Sequence, residues 1–181
     1  MIQITETSLV IFATKSAQMN KSEALQNILQ SKYPIIQAGM VWCSGWRLAA
    51  ASCNAGAFGV IGAGSMYPEI LDEHLSKMRL ITNKRFAVNL PLMYPSIEEH
   101  IELIITHKVP VVITSAGSPS KYTGLLKEAG IKVMHLVSSV AHAIKAEQAG
   151  VDAVIAEGFE AGGHNGRDET TTFVLCPSVA E

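Results

Sequence analysis

At 181 residues the chain is long enough for one domain with a sizeable core. With 48% apolar and 17% charged residues it has the composition of a globular protein and not of a disordered one. A net charge of −2 argues against nucleic-acid binding, which normally needs a basic face, and no apolar run approaches the roughly 20 residues that span a bilayer.

Leu9-Val-Ile-Phe-Ala13 lies between Glu6 and Lys15 and makes a poor secretory signal. Residues 1–18 are therefore expected to be a disordered or spurious extension, with the domain running over 19–181. From Lys21 onward helices and strands take turns. Ser22 can cap a helix that carries Ala24, Leu25, Ile28 and Leu29. Strand candidates centre near Ile35, Gly59, Ala87, Val111, Val133 and Ala153, each about one βα unit from the next. Between them, helices are expected over 45–54, Pro68–Ile81, 96–107, 119–129 and 140–149. Pro68 stands in the first turn of its helix, while Gly130 and Gly150 follow their helices where an αL glycine is favoured.

Strands such as Val109-Pro-Val-Val-Ile-Thr114 are apolar throughout, the pattern of a parallel sheet with right-handed crossovers. An open doubly wound sheet and a (β/α)8 TIM barrel both satisfy it. Polar or glycine-rich residues follow nearly every strand, and a site built from many strand ends is what a barrel offers; an open sheet would gather its site at one switch point. The reading is a (β/α)8 barrel represented by about six βα units.

Three stretches stand at strand ends. Gln37-Ala-Gly39-Met40 could turn backbone N–H groups toward a flat heterocycle, or be a turn and nothing more. Asn89 is a carboxamide inside the apolar run Phe86-Ala-Val-Asn-Leu90, and a buried carboxamide needs partners. Gly62-Ala-Gly64 lacks the third glycine of a dinucleotide fingerprint and reads as a tight turn. The densest cluster follows Asp152-Ala-Val-Ile-Ala156: Glu157, Gly162, Gly163, His164 and Gly166. Glycines around one histidine let the backbone approach a ligand and leave His164 at a loop tip past a strand end. His74, His100, His107 and His142 are expected to be solvated on helices or at their ends, and His135 to be a core residue. Trp42 and Trp46 flank the first loop, as packing or as substrate contacts. Cys43, Cys53 and Cys176, an odd number without metal-ligand spacing, read as reduced thiols of a cytoplasmic protein, with no metal site.

Tyr33-Pro-Ile-Ile-Gln-Ala-Gly-Met40, Phe86-Ala-Val-Asn89, Ser115-Ala-Gly-Ser-Pro119 and above all Ala156-Glu-Gly-Phe-Glu-Ala-Gly-Gly-His164 resemble the nitronate monooxygenase family. Met40-Val-Trp-Cys-Ser-Gly-Trp46 and the residues after Gly163 are similar to its enoyl-acyl-carrier-protein reductase II branch. The resemblance implies an FMN-dependent (β/α)8 enzyme. Gly39 and Met40 would lie against the flavin, Asn89 would bond its polar edge, and Glu157, Gly162 and Gly163 would line the far side with Ser115 nearby. His164 would be the catalytic histidine. In the family the FMN phosphate is held by strands 7 and 8, beyond the six units read here. The implied reaction is NAD(P)H-dependent reduction of enoyl thioesters, small or carried on acyl carrier protein, by a homodimer without nucleic-acid or membrane partners. Oxidation of alkyl nitronates with O₂ is the alternative, and an inactive fragment the second.

Overall fold

A computed structural model describes residues 9–13 and 21–181, with side chains from Leu25 onward. The strands are β1 (Leu9–Ala13), β2 (Gly59–Gly62), β3 (Phe86–Pro91), β4 (Val111–Ser115), β5 (Lys132–Val137) and β6 (Ala153–Glu157). The helices are α1 (Lys21–Leu29), α2 (Trp46–Asn54), α3 (Pro68–Ile81), α4 (Ile97–Thr106), α5 (Thr123–Glu128), α6 (Val140–Gln148) and α7 (Thr172–Ala180). They build one sheet in the order β1-β6-β5-β4-β3-β2. β2 to β6 run parallel, so their C-terminal ends share one rim.

The two faces of the sheet are covered unequally. Val88, Leu90, Val112, Val133, Val137 and Val154 face outward into a cluster with α2 to α6, where Leu71, Leu75 and Met78 of α3 and Ile97, Ile101 and Ile104 of α4 are buried. Each such side chain contributes about 1.5–3 kcal/mol when withdrawn from water. The other face carries Val60, Ala87, Val111, Ile113, Met134, Ala153 and Ile155, and α1 supplies Leu25, Ile28 and Leu29 to it. A doubly wound sheet would divide its crossover helices between both faces; here α2 to α6 all take one. That is the arrangement of a (β/α)8 barrel over five of its strands, with α1 lying on the inner side.

Several expectations change. The strand expected near Ile35 is a single bridge, Ile36 to Phe58. Pro34 brings no N–H and Ile35 stays exposed, so little is left to extend the ladder. The helix expected over 119–129 is a 3₁₀ turn, Pro119–Lys121, followed by α5. The sheet is not wholly parallel, because β1 pairs antiparallel with β6, Leu9 opposite Glu157 and Ala13 opposite Ala153. These five residues lie in the segment read as an extension; the rest of 1–18 lies outside the described residues. His100 is 3% exposed, not solvated, and shares a hydrogen bond of 3.0 Å with the Met66 carbonyl. It falls on the stripe of Ile97, Ile101 and Ile104, which α4 turns inward. His135 is buried as expected, its Nδ1 2.7 Å from Thr114 Oγ1. Among the described residues no helix is long and apolar enough to cross a membrane.

Candidate active site

Side chains alternate along a strand, so the inner-face residues Ala87, Ile113 and Ile155 place Asn89, Ser115 and Glu157 on that same face, two residues nearer the rim. The rim is therefore polar where the layer beneath it is apolar. Gly39 stands directly over Asn89. A Cβ on Gly39 would come within 2.5 Å of Asn89 Cβ and 3.0 Å of Val60 Cγ1, so only glycine allows this approach. Asn89 donates from Nδ2 to the Ile113 carbonyl (3.1 Å) and to Ser115 Oγ (3.3 Å). Among the described residues its Oδ1 accepts no hydrogen bond, which leaves one acceptor facing the rim. Ser115 is held from the other side, its carbonyl accepting from Leu92 N at 2.8 Å. Gly39, Asn89 and Ser115 thus form one group.

The loop carrying Gly39 and Met40 is braced by residues that sequence reasoning missed. Ser44 Oγ donates to the Ala38 carbonyl (2.7 Å) and accepts from Met40 N (2.8 Å) and Gln37 Nε2 (2.9 Å). Its own carbonyl accepts from Gly62 N, tying the first two rim loops together. Beyond this brace Met40 is exposed, and Trp42 is 85% exposed with φ of 66°. The signal was a small hydroxyl four residues after Met40, within reach of the turn's own amides.

The second group follows β6. Burial of the Glu157 carboxyl pushes its pKa from 4.5 up to about 7. No hydrogen bond or ion pair reaches that carboxyl among the described residues. Glu157 borders a shallow cleft with Ser138, Gly166 and Thr170. Gly166 lies against Ser138, whose Cβ would be 2.4 Å from a Cβ placed there. The loop between is folded on itself by two side chains that sequence reasoning passed over. Asn165 Nδ2 donates to the Phe159 and Ala161 carbonyls, both at 2.7 Å. Glu160 accepts from Thr172 N (3.0 and 3.1 Å) and Thr172 Oγ1 (3.0 Å), so its carboxylate caps α7. Between these ties Gly162 and Gly163 stand in open space, Gly163 at φ +97°, and His164 is exposed. No hydrogen bond joins this group to Asn89 or Ser115 among the described residues. β3 and β6 are three strand spacings apart, about 14 Å along the sheet, so the two groups flank a broad opening.

A rim of this kind, at the carboxyl ends of parallel strands, is where barrel enzymes keep their chemistry. Over residues 22–102 and 95–181 the chain matches the family model described as nitronate monooxygenase. The chain belongs to the nitronate monooxygenase family, a family of oxidoreductases. It is 34% identical over 158 residues to a (3aS,4S,5R,7aS)-5-hydroxy-7a-methyl-1-oxo-octahydro-1H-indene-4-carboxyl-CoA dehydrogenase of Rhodococcus jostii, covering 87% of this chain and 44% of that one. A probable nitronate monooxygenase of Staphylococcus saprophyticus is 34% identical over 197 residues, covering 89% and 56%. The structure of FabK from Thermotoga maritima superposes with a TM-score of 0.82 at 45% identity, covering 86% and 49%. The chain spans about half the length of these relatives.

Proposed function

We propose that this chain forms part of an FMN-dependent reductase of enoyl thioesters. The observation that carries the reading is the convergence on one rim of an open acceptor, Asn89 Oδ1, an unpaired carboxyl whose pKa burial raises to about 7, Glu157, and the bare backbone of Gly162 and Gly163. This set fits a flat heterocycle whose polar edge both donates and accepts hydrogen bonds. Gly39 and Met40 would lie against it from the first loop, and Ser115 fixes the Asn89 amide so that Oδ1 keeps its direction.

When bound, FMN supplies hydride transfer between NAD(P)H and the β-carbon of the enoyl group. The chain's own part is to hold the polar edge of the ring with Asn89 and Glu157 and to keep one side of the opening clear with glycines. His164 then gives its proton to the α-carbon as general acid, which completes the addition across the C=C bond. The carboxyl-CoA name of the Rhodococcus relative favours a thioester.

The Staphylococcus relative favours a second reading, oxidation of alkyl nitronates by O₂ without NAD(P)H, with His164 meeting the anionic substrate. One titration separates the two. FMN is added to the chain, then NAD(P)H under argon, then an enoyl thioester, with flavin absorbance followed throughout. Bleaching by NAD(P)H and recovery with the thioester is expected, and His164→Ala should slow the recovery on the order of 10²–10⁴-fold. Oxygen uptake with a nitronate alone would replace the reductase reading, and absence of flavin binding would favour the inactive fragment over both.

A further inference from the structure

At the end of the sheet opposite the rim, a cavity of about 220 Å³ opens between the C-terminal ends of α1 and α2 and the start of β3. Lys32, Lys84 and Arg85 border it, and no aspartate or glutamate does. None of these three cations makes an ion pair among the described residues. Arg85 donates from Nη2 to the Pro110 carbonyl at 3.4 Å, while its Nε is buried with no hydrogen-bond partner, and burial lowers the pKa of the guanidinium. A buried guanidinium nitrogen left unpaired is costly, and its natural complement is an anion's oxygen.

The wall is donor-rich and fixed. Thr82 Oγ1 donates to Asn54 Oδ1 at 2.8 Å, which leaves the Asn54 NH₂ as a further donor. Lys84 N donates to Thr82 Oγ1 at 3.1 Å, and Cys53 Sγ lies 3.3 Å from the Arg85 carbonyl, so the backbone of 84–85 is pinned to α2. On the far side Gly56, at φ +97°, packs against Lys32 and Tyr33; its Cβ would lie 3.1 Å from Lys32 Cβ. The plain alternative is that the lysines only neutralise the negative ends of α1 and α2. The carbonyls of Ala51, Ser52 and Cys53 are, however, already taken by the N–H groups of Ala55, Ala57 and Gly56 at 2.9–3.0 Å. At α2 the demand for cations is thus largely met before Lys32, Lys84 and Arg85 are considered.

We propose that this cavity binds a small, doubly charged oxyanion of the phosphate type. Its volume is below the range of pockets that take drug-sized ligands, and its walls offer several N–H donors and no carboxylate. The site is separate from the rim, lying at the opposite end of the same strands.

The test is calorimetric titration of inorganic phosphate into the chain without FMN, ionic strength being held constant with sodium chloride, with thermal melts in parallel. Saturable binding, a rise in the melting midpoint and competition by sulfate are expected. Lys32→Ala/Lys84→Ala removes two exposed side chains and should weaken phosphate on the order of tenfold or more. Its unliganded melt reports whether the fold survives, and Lys145→Ala, on α6, should bind phosphate as the unsubstituted chain does. Two outcomes overturn the proposal: phosphate acting no differently from chloride, or undiminished affinity in the folded double variant. FMN titrated into that variant should bind unchanged, so failure here is distinguishable from failure at the rim.

Discussion

Glu157 and His135 stand on neighbouring strands, one on each face of the sheet, and burial drives their titrations in opposite directions. Glu157 is raised from 4.5 to about 7. Between those values the folded chain keeps a proton that the unfolded chain has lost, so this contribution is complete below pH 4.5 and is lost as pH rises through 7. His135 is lowered from 6.5 to about 4, by burial first and by the charge of His142 second. Its contribution is present above pH 6.5 and is lost as pH falls through 4. The two slopes oppose each other from about pH 4.5 to 6.5. Glu157→Gln should therefore do more than shift stability by a constant. Relative to the unsubstituted chain it should gain on the order of 1–2 kcal/mol between pH 5 and pH 8, a figure reduced for the solvent that reaches the carboxyl. Urea midpoints at the two pH values check this. An equal offset at both would mean that Glu157 titrates as an ordinary exposed carboxyl.

At the scale of the element, β1 shows how far sequence carries. β2 to β6 were legible because each is a short Val/Ile-bearing run between turn residues, and the stripes of α3 and α4 follow from three- and four-residue spacing. His100 was misread as solvated, although the same spacing rule places it one residue before Ile101 on the buried face of α4. The strand content of Leu9–Ala13 was present in its β-branched residues, but what makes it a strand is β6, about 140 residues away in the chain. In the same way Glu160 and Asn165 read as polar loop residues, and their tasks appear only when Thr172 and the Phe159 carbonyl are brought to them. Long-range partners are the part no local pattern holds. The pairing of β1 also shields an edge: without it the N–H and C=O groups of β6 are a template for another strand. Along β1 adjacent N–H groups point to opposite sides, so Val10→Pro/Ile11→Pro must delete one that faces β6. Faster amide exchange over 153–157 and concentration-dependent light scattering are expected from that double variant. Unchanged exchange would mean that β6 does not depend on β1.

Over the whole molecule the two faces of the sheet have different guarantors. The outer face is covered by α2 to α6, which share the load, whereas α1 is the helix that supplies the inner cluster with Leu25, Ile28 and Leu29 beside Phe58, Val60, Met134 and Ile155. Those inner residues form the apolar floor beneath Asn89, Ser115 and Glu157, so the rim stays in place only while the floor stays dry. Leu29 is 2% exposed, and Leu29→Ala opens a void that α1, nine residues long, can refill only by shifting as a unit. A loss of about 2–3 kcal/mol follows from large-to-small replacements in cores, which for a chain of this length lowers the melting midpoint by about 5–10 °C. Calorimetry and urea unfolding measure both quantities. A loss below about 1 kcal/mol would show α1 to be a loosely held cover, and the rim would then owe its geometry to the strands and the outer helices alone.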